Sequence, residues 1–197
     1  MRTRMVRSAI VLIISLAFLP GCADVATNMA MTGAQAVYNQ RSLQKRWSDQ
    51  YISMRVFKAL DVDDTRFKDA NISIATFNNE VLLAGQVPKS WQRQEAEQRV
   101  KDIPNVKRVY NLIAVTPPSS ALTRISDAWI TAKVKAKLMT SSDVDATQVK
   151  VVTEDGTVYL MGILLPSEAQ AAVDMARTTE GVEKVVKVFS YLRISRS

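Results

Sequence analysis

The sequence predicts an α+β protein in which one helix–strand–strand–helix–strand unit occurs twice in tandem, each copy packing two helices on a three-stranded mixed sheet. Three observations carry that reading. Residues 48–115 and 126–194 are self-similar at an offset of 77 or 78 residues. Both copies alternate helical and strand periodicity in the same order, and both place turn-forming residues at the same points.

In chain order, SDQYISMRVFKAL (48–60) aligns with SDAWITAKVKAKL (126–138), which sets Ile52, Val56 and Leu60 on Ile130, Val134 and Leu138. Their spacing defines one apolar helix face. The Ser and Asp heading each segment suit a helix N-terminus, whose open amide groups need acceptors and favour negative charge. NISIAT (71–76) and EVLLAGQV (80–87) read as strands, as do QVKVVT (148–153) and TVYLMGIL (157–164). FNN and EDG join them as hairpin turns, Asp155–Gly156 being the stronger signal. Gly85 and Gly162 stand at equivalent places in the second strands, which predicts a bulge or the close approach of the neighbouring helix. Second helices follow at 90–103 and 167–180, each opening with Ser after a strand. Asn105 and Gly181 are suited to end them in the left-handed conformation before β-branched strands at 105–115 and 181–194.

The N-terminus has another grammar. MRTRMVRSAIVLIISLAFLPGC carries three arginines, an apolar run from Ala9 to Leu19, then small residues and Cys22, the layout of a secretory signal. That run is shorter than the roughly 20 residues a membrane span needs. LPGC resembles the lipobox of bacterial lipoproteins, although Pro20 stands where Ala or Ser is commoner. The resemblance implies cleavage before Cys22 and acylation of that residue, and Ala23 after it implies transfer to the outer membrane. Cys22 is the only cysteine, so it has no disulfide partner.

These features divide the chain into a signal segment (1–21), a lipid-anchored tether (22–46), a first domain (47–115), a linker (116–125) and a second domain (126–197). The tether lacks clear periodicity apart from a short helical stretch around Ala34 to Gln40. The linker is short and proline-containing, which predicts neighbouring domains in a defined orientation. Loss of Arg2, Arg4 and Arg7 lowers the basic count from 26 to 23 against 19 acids, a net charge of about +4. That balance lacks the dense basic footprint of a nucleic-acid binder. Histidine is absent, which removes the usual ligands of zinc and the usual base of nucleophilic catalysis.

Tandem units with the strand chemistry VLLAG and VYLMG, each closed by a valine-rich strand, resemble BON domains. A lipobox followed by two of them is similar to the dual-BON-domain outer-membrane lipoproteins of Gram-negative bacteria. The resemblance implies a non-enzymatic, cofactor-free periplasmic module that binds anionic phospholipid through its second domain. It also implies a part in envelope integrity and a place at division sites.

The helix DAWITAKVKAKL (127–138) is the candidate site. Ile130, Val134 and Leu138 share one face, while Trp129 points nearly the opposite way in a stripe with Ala132, Ala136 and Met139. Lys133, Lys135 and Lys137 flank it. An indole among cations suits a lipid interface, with the ring among acyl chains and ammonium groups raised toward phosphate. The same face also suits packing against the other domain, or anchoring an envelope protein as an adaptor. In the first copy the matching face holds Tyr51, Met54, Arg55 and Lys58, open to a weaker lipid contact or to interdomain packing. Lys58 interrupts the stripe where Ala136 continues it.

The acidic stretches DVDD (61–64) and SSDVD (141–145) lack the Gly and distal Glu of a calcium loop and read as solvated turns and caps. Six glycines form no phosphate-binding loop. No constellation indicates an enzyme, a metal site or a cofactor.

Overall fold

A computed structural model describes the backbone of residues 33–60 and 65–192, and side chains from residue 44 onward within them. The signal segment, Cys22 and the acidic run 61–64 lie outside the described residues. The described residues from Gln44 onward form one compact unit. Its elements are α1 (Gly33–Ala59, which enters from the preceding segment), β1 (Asn71–Phe77), β2 (Glu80–Val87), α2 (Ser90–Lys101) and β3 (Arg108–Val115). Then come α3 (Ala121–Thr140), a 3-10 turn (Ala146–Gln148), β4 (Val149–Glu154), β5 (Thr157–Leu164), α4 (Pro166–Arg177) and β6 (Lys184–Tyr191).

Each domain has a three-stranded mixed sheet, ordered β1-β2-β3 and β4-β5-β6, with an antiparallel hairpin followed by a parallel neighbour reached through the second helix. Val81 pairs with Thr76 and Val109, and Val158 with Thr153 and Val185. The helices cover one sheet face and enclose a core. In the first domain Ile52, Val56, Phe67, Val81, Leu83 and Val100 are buried together. In the second, Ile130, Val134, Leu138, Val158, Leu160 and Ala172 play the same part. Burying each larger side chain contributes about 1.5–3 kcal/mol.

The hairpin turns are as the residue types require. Asn78 and Asn79 in one copy, and Asp155 and Gly156 in the other, all have positive φ, the conformation of a type I′ turn. Asn105 and Gly181 are left-handed after the second helices.

The Ser-Asp pairs do not start the first helices. Helix α1 runs through Ser48 and Asp49, and α3 begins at Ala121, where the Ser120 hydroxyl accepts the Thr123 N–H at 3.1 Å. Each aspartate instead turns inward and clamps its own domain's hairpin. Asp49 accepts the amides of Asn78 and Asn79 at 2.9 and 2.8 Å, and Asp127 those of Asp155 and Gly156 at 2.8 and 3.0 Å. A carboxylate that satisfies two otherwise open turn amides ties the helix to the tip of the sheet. Ser48 adds a bond from the Asn79 side chain at 2.8 Å.

The second helices are also not capped by their serines. In α2 the Gln92 side-chain amide oxygen accepts the Lys89 N–H at 3.0 Å, and in α4 the Glu168 carboxylate accepts the Leu165 N–H at 2.8 Å. The glycines at equivalent places in the two repeats answer to a strand rather than a helix. A Cβ on Gly85 would lie 2.1 Å from the Asn71 carbonyl oxygen, and one on Gly162 would lie 2.2 Å from that of Gln148. The backbone entering each first strand occupies the space a side chain would need.

The two sheets pack on each other through the faces their helices leave open. Leu82, Met161 and Val188 are buried in this layer, with Phe77, Tyr110 and Tyr159 packed against them. This explains why Val81 to Val87 is buried without alternation: odd positions in β2 face the helices and Leu82 faces the other domain. Polar contacts join the edges. Glu154, at the end of β4, accepts the Asn71 side-chain N–H at 2.9 Å and the Ser73 hydroxyl. Burial is the main cause that pushes the Glu154 carboxyl above its ordinary value, and the nearby Asp127 charge adds to it. Burial likewise raises the Tyr159 phenol, helped by Glu154.

Replacing Asp127 with Ala is expected to cost about 2–4 kcal/mol, since it strands two turn amides at a site only 5% exposed. Urea unfolding measures it; a loss below 0.5 kcal/mol, within the scatter of surface substitutions, would show that the clamp is idle. A raised Glu154 pKa means that the site's stability is fully present below the ordinary carboxylate range and is lost as pH rises through the raised value. Glu154→Gln, which cannot ionise, should therefore gain stability relative to the parent chain between acid and neutral pH. An unchanging difference across that interval would contradict the assignment.

Candidate membrane-facing site

Helix α3 presents its apolar stripe to the outside because its other face is fully engaged. Asp127, Ile130, Val134 and Leu138 are all buried, on the turn clamp and the sheet. At about 100° per residue this directs Trp129 outward. The indole is 68% exposed, so the interdomain packing open to it on sequence grounds is not adopted. Ala132 and Ala136 are exposed beside it, and Met139 is exposed at the far end.

The stripe is longer than the sequence suggested. Since α3 begins at Ala121, Leu122 and Ile125 join it, both exposed. From Leu122 to Met139 the face extends about 25 Å at 1.5 Å per residue. The signal for the earlier start was Ser120 followed by Thr123, an N-cap hidden by the more conspicuous Ser126-Asp127 pair.

The lysines differ in their engagement. Lys137 donates to the Thr178 carbonyl oxygen at 2.8 Å, bridging to the end of α4. Lys133 pairs with the nearly fully exposed Glu180 at 3.5 Å, a contact weak enough for an anionic surface to replace. Lys135 lies on the opposite flank and, among the described residues, no acid pairs with it. The indole therefore stands between cations, one of them already oriented.

In the first domain the corresponding face is also exposed rather than packed between domains. Met54 is largely exposed, Tyr51 about half, and the Arg55 guanidinium lies 5.7 Å from the centre of the Tyr51 ring. Trp47 and Phe57, which the sequence reading did not single out, are exposed on the same helix.

Two shallow grooves lie between β1 and α3. One, of about 480 Å³, is bordered by Ser53 of α1, Thr76 of β1, and Lys135 and Met139 of α3. The other, of about 400 Å³, holds Asp127 and Glu154. Both carboxylates are already committed, to the turn amides and to Asn71 and Ser73. In the SSDVD loop Asp145 caps the 3-10 turn by accepting the Thr147 hydroxyl and N–H at 2.6 and 2.9 Å, and the hydroxyl bond is the main cause holding its pKa low. Among the described residues no three His, Cys, Asp or Glu side chains are placed to hold a metal, and no helix is long and apolar enough to cross a membrane.

The BON domain model matches residues 48–117 and 126–193. The chain is 34% identical over 175 residues to a Haemophilus influenzae protein named outer membrane lipoprotein DolP, covering 89% of this chain and 91% of the relative. It is 38% identical over 154 residues to a 21 kDa hemolysin of Actinobacillus pleuropneumoniae, covering 78% and 79%. With osmotically-inducible protein Y of Escherichia coli it shares 33% identity over 141 residues, covering 70% and 69%.

Proposed function

The chain belongs to the BON-domain family, in its two-domain form, and we propose that it is a non-enzymatic lipoprotein anchored through Cys22 on the periplasmic side of the outer membrane. In this reading α3 of the second domain binds anionic phospholipid, and the protein serves outer-membrane integrity, division sites included. The observation that carries it is the Trp129 face: an indole 68% exposed in a 25 Å apolar stripe with lysines on both flanks.

The energies suit a tethered contact. Half-burying Leu122, Ile125, Trp129 and Met139 contributes about 1 kcal/mol each. Each lysine near an anionic surface adds about 1 kcal/mol, and Lys135 is the most available. With Lys137 held by Thr178 and Lys133 and Lys135 contributing, the total of about 6 kcal/mol corresponds to a Kd in the tens of micromolar. Alone that is weak. Acylation of Cys22, a short tether upstream of the first domain, converts it to an intramolecular contact at an effective concentration on the order of millimolar.

Alternatively, Trp129 would anchor an envelope protein, and a vesicle assay separates the readings. The non-acylated mature chain, residues 23–197, is expected to float with vesicles containing phosphatidylglycerol and to stay behind with neutral ones. Trp129→Glu should weaken binding roughly ten- to hundredfold, about 1.4–2.8 kcal/mol. Flotation indifferent to lipid charge, or unaffected by that substitution, contradicts the lipid reading and favours the adaptor.

A further inference from the structure

We propose that the outer edge of β6, together with the flank of α4, receives an extended acidic segment of a partner protein as an added strand, at a site separate from the lipid-facing helix. Among the described residues β6 is hydrogen-bonded as a strand to β5 alone, so its other edge is open. Such an edge presents a row of unpaired N–H and C=O groups. Beside it α4 leaves two hollows of about 320 and 230 Å³ that meet at Lys187. Ala169 and Tyr191 border the first, Val173, Arg177 and Lys184 the second, so the two follow one another along the strand.

The same place in the first domain is closed. Asn111 lies opposite Leu83 in the β3 register as Lys187 lies opposite Leu160 in that of β6, which makes Asn111 and Lys187 equivalent. Gln92 and Glu168 make the same capping bond in α2 and α4, which sets Arg93 on Ala169 and Glu97 on Val173. The Asn111 side-chain amide donates to the Arg93 carbonyl oxygen at 2.9 Å and to the Glu97 carboxylate at 3.0 Å. In return the Arg93 guanidinium donates to the Asn111 carbonyl oxygen at 3.5 Å. Helix and strand are tied across the space that a ligand would need. With Ala169, Val173 and Lys187 at these positions the second domain lacks the tie, and the hollows stand open.

Charge selects the occupant. Arg177, Lys184 and Lys187 are all exposed along the strand. Among the described residues, the ion pairs of the second domain join Lys133 to Glu180 and, at 4.0 Å, Arg177 to Asp174, and neither Lys184 nor Lys187 has one. Asp174 is further engaged by the Gln170 amide at 3.0 and 3.1 Å. Glu183, the one acid bordering the hollows, lies against Gly156 at the β4–β5 turn. Lysines on an open edge oppose its pairing with a second copy of itself. An acidic strand meets no such barrier, and its main-chain groups satisfy those of β6 while its carboxylates reach the lysines. In the second sheet α3 lies over β4 and α4 over β5 and β6, which puts the site on the side of α4 away from α3.

The test follows backbone amide shifts of the ¹⁵N-labelled mature chain, residues 23–197, on adding millimolar amounts of an N-acetylated peptide of four Val-Glu repeats, as long as β6 itself. Shifts should fall on residues 184–191 and the adjoining side of α4, and a peptide of Val-Lys repeats should leave the spectrum unmoved. Because every second residue of an added strand points its N–H at the edge, methylating one alternate set of the peptide's backbone nitrogens should weaken binding roughly tenfold or more, and methylating the other set should change little. Lys184→Glu with Lys187→Glu should weaken it by a similar factor. No shifts, shifts centred elsewhere, or an equal response to the Val-Lys peptide overturns the site. Indifference to both methylated peptides overturns the added strand, and that arm needs no variant chain to fold. None of these outcomes bears on lipid binding by α3.

Discussion

The packing of one sheet against the other decides what the rest of the molecule can do. Leu82 from the first domain meets Met161 and Val188 from the second in a buried layer, while the opposite face of each sheet is covered by its own helices. With both sheet faces closed, the solvent side of each helix and the open strand edges are the surfaces left for an outside partner. Trp129 and Trp47 are both largely exposed on the outer sides of their helices.

A second constraint maintains the first. The aspartate clamps link the first helix of each domain to the tip of its hairpin, and Gly85 and Gly162 let the first strand cross close over the second. Helix and hairpin are thereby fixed in rotation, so the outward direction of the α3 stripe follows from Asp127 as well as from its apolar residues. The buried Glu154 carboxylate adds a polar joint between domains whose strength depends on its protonation.

Much of this was legible in the residues. Repetition exposed the two domains; period-2 and period-3.6 patterns placed the strands and the buried faces; Asn105 and Gly181 marked the helix ends. The misplaced helix starts had one source. A Ser-Asp pair before an apolar run has the same local chemistry whether it caps a helix or clamps a turn 28 or so residues away, and only the tertiary partner distinguishes the two. Starting α3 too late then concealed Leu122 and Ile125, and starting α1 at Ser48 concealed Trp47. Sheet-to-sheet packing was signalled only by the unbroken apolar run in β2, which equally describes any strand covered on both sides.

The sheet-to-sheet layer is tested most directly by ¹⁵N relaxation of the chain in solution, comparing backbone amides of residues 71–115 with those of 149–191. A buried layer centred on Leu82, Met161 and Val188 predicts one rotational correlation time shared by the two domains. Two separate, shorter correlation times would show the domains tumbling independently and would contradict the packing that turns both tryptophan-bearing helices outward.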